Sequence, residues 1–429
     1  MNSIEICNRY FNENVDWSQL KMVYDYKNNI NHNTLLKKTK ISDIVLDGNN
    51  GKLYYRGINI NEIVKNNTIK GYAFEEGMYL LLFGVLPTKE QLMKFSQLLF
   101  DLRTDFFKTS ITYPKISSRN MMINLERNIL LCYDDDLLSE NLSFQNVFRE
   151  LLELIAKMPI IVLNSYYEFC EKYLRKKISL NIPKKLISTS EYILYLLNGK
   201  DNYSKLDIES LDILLLIHAE HGGNNSAYAN YVVTTAYTDT YSSIVTSIAS
   251  LKGYRHGGAN LKVNDMINDL IKTAENLKLE NIEKYFNDIL NKRAFDKTGL
   301  IYGIGHAIYN GEDPRTTIMK EYAFKLASEK NMIEKYKIYE DVEYIAKKVL
   351  LLKLNNTEEI CANVDFYSGF IYSLLGIPTD LFTPLFVTSR IVGWSSHRLE
   401  TIVNDERLVR PTYSYVGEYK KYIDIEKRK

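Results

Sequence analysis

Apolar residues return every three or four positions along most of this chain, the spacing that gives a helix one oily face. The period is clearest from Phe74 to Phe83, Lys89 to Leu102, Phe144 to Met158, Leu186 to Leu197 and Lys205 to His221. It resumes from Ser242 to Leu251, Val263 to Leu277, Ile282 to Leu290, Thr316 to Ser328, Val342 to Leu354 and Leu381 to Leu399. Strand-like alternation is confined to Ile41 to Leu46 and Leu53 to Tyr55, with the turn-forming Asp47-Gly48-Asn49-Asn50-Gly51 between them. The pattern predicts an all-α protein with at most a small N-terminal β-hairpin.

Some helix ends are legible. Asp313-Pro314 pairs a side-chain cap with a proline whose missing N–H falls in the first turn, which puts Arg315 in the opening turn of a helix. Gly376 to Asp380 ends one helix and caps the next, placing Arg390 about three turns into the latter.

Length and composition narrow the classes. A chain of 429 residues, 45% apolar, buries a sizeable core and suggests a large domain with a smaller one. Lys plus Arg number 54 against 53 Asp plus Glu, so the net charge of +1 offers no long-range field for nucleic acid or an acidic membrane. An anionic ligand must be held by local arginines. The 33 tyrosines are spread along the chain and read as packing, not as a base-stacking surface. Cys7, Cys132, Cys170 and Cys361 lie far apart, the start carries no secretory pattern and no stretch is apolar enough for a membrane helix. The expectation is a cytoplasmic protein with reduced cysteines.

Four of the six histidines sit in glycine-marked segments: His218-Ala219-Glu220-His221-Gly222-Gly223, Arg255-His256-Gly257-Gly258 and Gly303-Ile304-Gly305-His306. Asn363-Val364-Asp365 adds a carboxylate. Imidazoles with one tunable acid can move a proton off carbon near neutral pH, which makes an enzyme the first hypothesis. His218 and His221, three apart, would share a helix face. A metal pair there lacks a third ligand at any familiar spacing, so no metal is expected. A structural role suits His218 and substrate contact suits His221. Glycines beside His256 let backbone approach a ligand, and Arg315, Arg390 and Arg410 can hold carboxylates as forks.

These segments, in this order, resemble the citrate synthase family. The resemblance is carried by Leu251-Lys252-Gly253 through Asn260, by Gly303 through Tyr309 to Asp313-Pro314-Arg315, and by Asn363 through Gly369 to Gly376-Ile377-Pro378 and Asp380. Arg390-Ile391 with Gly393-Trp394, Arg410-Pro411 with Tyr415 and Gly417, Asp47-Gly48 through Gly57, and Tyr79 through Pro87 extend it over nearly the whole chain. It implies a homodimer of helical subunits with a large domain (1–255 and 374–429) and a small domain (256–373) closing over a cleft. It further implies that Asp365 takes a proton from the methyl of acetyl-CoA, His256 donates to the thioester oxygen and His306 polarises the ketone of oxaloacetate. His221, Arg315 and Arg390 would bind oxaloacetate, with Arg410 supplied by the partner subunit. Acetyl-CoA is then a co-substrate, and no cofactor is held permanently.

The alternatives are a 2-methylcitrate synthase using propionyl-CoA, and a catalytically inactive dimeric binding protein of the same fold. Retention of His256, His306, Asp365 and the three arginines argues against the latter. This chain departs from the family at Ala307 and Asn310, where relatives carry basic residues that meet CoA phosphates, and at Thr412. Tyr254-Arg255 replaces the usual residues before His256, and the charge of Arg255 is expected to favour a neutral His256.

Overall fold

In the computed structural model, residues 2–25, 37–48, 50–110, 118–178, 181–354, 359–410 and 413–428 are described. Asn49 of the predicted turn and the Pro411-Thr412 step lie outside them. Among the described residues the chain forms seventeen α-helices and one three-stranded antiparallel sheet. The all-α expectation with a small hairpin therefore holds.

Helix Phe382–Asn404 is the axis of the fold. Nearly all of its residues are buried, so it is lined on every side by other helices, and its polar side chains, Arg390, His397, Arg398 and Glu400 among them, need partners in the interior. It packs against Phe144–Tyr173, Asn225–Thr234, Lys205–His218 and Ala73–Phe83. A second group, Ala259–Thr273, Leu279–Leu290, Pro314–Glu329, Ile333–Leu354 and Val364–Leu374, packs chiefly on itself. No described helix is long and apolar enough to cross a membrane, and all four cysteines are free and buried.

Several helix limits differ from the periodic reading: the helix seen from Lys89 to Leu102 runs on to Ser110, and the one seen from Val342 begins at Ile333. The helix starting at Phe144 continues through Pro159 to Tyr173 because apolar residues persist on the far side, from Ile160 to Leu163. The helix starting at Lys205 stops at His218 instead of His221, and the chain then turns at Gly222, whose φ of 56° favours glycine. Helices Ser3–Asn14, Trp17–Tyr24, Ile60–Asn66, Met121–Asp135, Asn225–Thr234 and Val364–Leu374 were not visible as periodic stretches. Most are short, and several are announced by caps: Asn2 and Glu5 form a reciprocal capping box, and Asp16, Asn120 and Asn224 cap their helices.

The hairpin is Ser42–Asp47 paired with Asn50–Tyr55, in the register Ser42 to Tyr55 and Asp47 to Asn50, with Ile58–Asn59 as the third strand. It supports the segment after helix Lys205–His218. The Tyr55 hydroxyl lies 3.1 Å from the Leu216 carbonyl and 3.0 Å from that of Glu220, and Gly51 N–H donates to the Glu312 carbonyl at 3.1 Å.

A buried ionic cluster ties helix Phe144–Tyr173 to its neighbours. Arg149 donates to Asp136 at 2.6 Å and to Glu153 at 2.8 Å, and Lys157 donates to Glu153 at 2.6 Å. Burial pushes the Glu150 carboxyl up to about 8. Arg149→Met strands Asp136 without its cation and leaves Glu153 with one partner. It should lower unfolding free energy by about 3 kcal/mol, the usual cost of breaking a buried pair from one side, read as a lower urea midpoint.

Candidate active site

The histidine segments, the Asp365 helix and the long axial helix converge on one cavity of about 590 Å³. His221, His256, His306, Arg315, Asp365 and Arg390 all line it. Six of the seven residues proposed from sequence are thus brought together. Arg410 is exposed and is not among the lining residues of this subunit.

Arg315 is fixed first. Asp313 caps helix Pro314–Glu329 by accepting from Arg315 N–H at 3.0 Å, and the same carboxylate takes Nε at 2.9 Å and Nη2 at 2.6 Å. Cap and counter-ion are one side chain. Burial works against the guanidinium, but Asp313 outweighs it and holds Arg315 charged. Arg390 is secured differently: its Nε donates to the His218 carbonyl at 2.6 Å and its guanidinium stacks on Phe386 with 4.8 Å to the ring centre. Burial lowers it to about 10, with Glu220 opposing.

His306 has a defined tautomer. Its Nδ1 accepts from Ile308 N–H at 3.0 Å and Tyr309 N–H at 3.2 Å, so the single proton of the neutral ring rests on Nε2. That Nε2 lies 3.3 Å from Arg315 Nη2. Two donors side by side leave an opening that a carbonyl or carboxylate oxygen fills. His221 Nε2 lies 3.2 Å from the Tyr309 hydroxyl, and the His221 and His306 rings meet edge to face at 5.3 Å.

His256 carries its proton on the other nitrogen. Ser226 N–H reaches its Nε2 at 3.4 Å and Ser226 Oγ lies 2.9 Å from it, which leaves Nδ1 as the donor. Trp394 Nε1 donates to Ser226 Oγ at 3.1 Å and so orients the serine. Burial lowers His256 to about 4, with the charge of Arg390 adding to it. The sequence reading assigned that effect to Arg255. Instead, Arg255 is exposed and extends over the Tyr254 ring, 5.7 Å from its centre. His306 is likewise lowered to about 4 by burial and Arg315, and His221 well below its usual range by burial, Arg315 and His306. The imidazoles of the cavity are neutral at pH 7.

Asp365 opens helix Val364–Leu374, whose cap Asn363 accepts from Asp365 N–H at 3.0 Å. Asn363 also donates through Nδ2 to the Gly305 carbonyl at 3.0 Å and through its backbone to Gly303 at 2.9 Å. This ties the Asp365 helix to the His306 loop. The loop needs Gly303: at φ 80°, a Cβ there would meet Val263 at 2.7 Å. Asp365 Oδ1 is enclosed without a hydrogen-bond partner. Burial raises its carboxyl to about 7, with Arg315 and Arg390 opposing. A carboxylate so tuned can act as a base near neutral pH.

His218 is buried, its Nδ1–H donating to the Leu214 carbonyl at 2.7 Å and its ring packed on Phe386. Its structural reading fits. Among the described residues no three His, Cys, Asp or Glu side chains cluster as metal ligands would. Ala307 lines the cavity and Asn310 is exposed. Sequence reasoning missed Ser226, Tyr309 and Trp394. Asp313 was read as a cap only. The one available signal was position, since Ser226 follows the His221 segment and Tyr309 follows His306.

Comparison with known proteins points one way. Residues 31–412 match the family described as citrate synthase, C-terminal domain. A citrate synthase of Haloferax volcanii is 31% identical over 396 residues, covering 90% of this chain and 94% of the relative. A 2-methylcitrate synthase of Shewanella oneidensis is 30% identical over 390 residues, covering 89% and 92%. The solved ternary complex of carboxymethyl coenzyme A and oxaloacetate with citrate synthase from Thermoplasma acidophilum superposes with a TM-score of 0.75 at 27% identity, covering 94% of this chain and 100% of that one.

The electrostatics make a direct prediction. In an NMR titration the His256 and His306 rings should stay neutral down to about pH 5, two units below where exposed histidines begin to charge. Ser226→Ala keeps the backbone N–H that reaches Nε2, so the His256 proton should stay on Nδ1, seen as unexchanged nitrogen shifts.

Proposed function

The chain belongs to the citrate synthase family, and from that membership we propose how its residues carry the condensation of acetyl-CoA with oxaloacetate and water to citrate and CoA. The enzyme is an acyltransferase that forms a carbon–carbon bond. The observation that carries the assignment of roles is the unpartnered, raised carboxyl of Asp365 in one cavity with neutral imidazoles and two buried guanidiniums.

Oxaloacetate brings two carboxylates, and Arg315 and Arg390 receive them as fixed cationic forks, with His221 alongside. Its ketone oxygen takes the opening beside His306 Nε2–H. Acetyl-CoA enters with its thioester oxygen at His256 Nδ1–H. A thioester methyl is a weak carbon acid, so base and electrophile must act together. Asp365 takes the methyl proton while His256 holds the developing enolate oxygen. The new carbon nucleophile attacks the ketone, and the alkoxide gains its proton through His306. Water then cleaves the citryl thioester, releasing citrate and CoA. Neutral imidazoles suit this chemistry, because each serves as a hydrogen-bond donor of fixed tautomer.

Residues 256–373 form the small domain that closes on the cleft, and 1–255 with 374–429 form the large one. The self-packing of the helices from Ala259 to Leu374 supports this division. Closure excludes water from the reactive thioester. The enzyme works as a cytoplasmic homodimer in the tricarboxylic acid cycle, and the exposure of Arg410 outside its own cavity supports its service in the partner's site.

A second acyl donor has a specific observation behind it, the resemblance to a 2-methylcitrate synthase over most of the chain. Comparing turnover of acetyl-CoA and propionyl-CoA decides, with acetyl-CoA favoured by about tenfold or more, the scale that one methylene allows.

Free CoA thiol should appear on mixing acetyl-CoA with oxaloacetate, and Asp365→Asn should slow it by about 10²-fold or more. In the wild type, kcat/KM should rise with pH through about 7 as Asp365 loses its proton. Arg410→Ala and His306→Ala should each be inactive alone. Mixed under subunit exchange, they should regain about a quarter of wild-type activity, since half the dimers are then hybrids with one intact site. Absence of regain would place Arg410 outside the partner's site.

A further inference from the structure

Glu220 lies behind the cavity wall, fully buried, between His218 and His221. Its Oε1 accepts from Ser42 Oγ at 3.0 Å and lies 3.0 Å from His397 Nε2, while Oε2 has no hydrogen-bond partner. Oε2 points at the axial helix where Gly393 leaves room, for a Cβ there would stand 2.1 Å from it. Arg390, Gly393, His397 and Glu400 recur at helical spacing on one face of Phe382–Asn404, so the substrate fork, the slot and the anchor share a single rigid element. Glu400 continues the chain of contacts: its Oε2 is 4.0 Å from His397 Nδ1, and its Oε1 accepts from Lys40 N–H at 2.7 Å.

The geometry separates this anion from the nearby cation. Among the described residues Arg390 forms no ion pair within 4.0 Å, although Glu220 acts on it electrostatically. A direct Arg–Glu pair would occupy the fork that a substrate carboxylate needs. An absent anion would leave a buried guanidinium uncompensated. An intermediate placement keeps the cation charged and its fork open. Ser42 and His397 enforce it by holding Oε1, and Ser42 also accepts from Gly222 N–H at 3.2 Å, so both sides of His221 are pinned to the hairpin.

We propose that Glu220, held at a distance from Arg390 by His397 and Ser42, is a positioning residue that sets the affinity of the Arg390 site for a substrate carboxylate. The proposal rests on the reading of Arg390 as an oxaloacetate ligand and goes beyond it. Glu220 touches no substrate and acts through Arg390 and His221.

The test is Glu220→Gln, which keeps shape and removes charge, alongside His397→Phe, which keeps ring volume and frees the carboxylate to move onto Arg390. In the full-length protein, oxaloacetate binding by calorimetry and both KM values are compared with wild type. His397→Phe should weaken oxaloacetate binding and raise its KM by about tenfold, while Glu220→Gln, which removes the anion opposing a substrate carboxylate, should tighten binding and lower that KM by about tenfold, with the KM of acetyl-CoA and the far-UV circular dichroism unchanged. A merely structural role would raise both KM values together or lower helix content. Oxaloacetate affinity within about twofold of wild type in either folded variant overturns the proposal. The binding arm needs no CoA chemistry, so a wild type that binds oxaloacetate but releases no CoA would count against the functional reading alone.

Discussion

Two buried guanidinium groups must stay charged in the wall of one cavity and still leave donors for a ligand. Everything else about the site follows from how that constraint is met. Arg315 is held charged by Asp313, which takes Nε and Nη2 and so also fixes its direction. Arg390 keeps its charge against burial, with no acid within ion-pair distance among the described residues. The fields of these two cations, added to burial, hold three imbedded imidazoles neutral. They also oppose the desolvation of Asp365, which would otherwise climb beyond about 7. Asp365 and the three imidazoles are therefore tuned by the two guanidiniums beside them.

Rigid connections keep these groups in register. His306 and Asp365 belong to segments joined by a short antiparallel bridge between Ile304 and Ala362, reinforced by Asn363. On the opposite wall, the small N-terminal sheet has a supporting function out of proportion to its size. Tyr55 fixes the turn after His218, and Gly51 reaches Glu312, one residue before the Asp313 cap. The hairpin thus touches both the segment that carries His221 and the one that leads to Arg315.

Much of this was legible in the chain. Helical period gave the long elements, Asp313-Pro314 gave the position of Arg315, and turn residues gave the hairpin. Glycines marked the histidine segments because close approach and positive φ leave a visible trace in sequence. What could not be read was whatever depends on contact between distant segments. The tautomer of His256 is set by Ser226, thirty residues away, and Trp394, farther still. The depression of its pKa was expected from the neighbouring Arg255, yet Arg255 is exposed over the Tyr254 ring, and burial with the field of Arg390 lowers His256 instead. Helix Asn225–Thr234 escaped the periodic reading because the residues it buries, Ser226, Ala227, Asn230 and Thr234, are small or polar. The role proposed for Arg410 depends on a second subunit, which one chain does not contain.

The central claim is that Arg315, Arg390, His306, His256 and Asp365 surround one ketodiacid and one acyl group. A crystal structure with oxaloacetate and an unreactive acyl-CoA analogue tests it most directly. The account predicts one carboxylate on each guanidinium, the ketone oxygen on His306 Nε2, and the Asp365 carboxyl facing the acyl carbon beside His256 Nδ1. A diacid anchored elsewhere, or an Asp365 carboxyl separated from the acyl carbon by more than one bridging water, would contradict it.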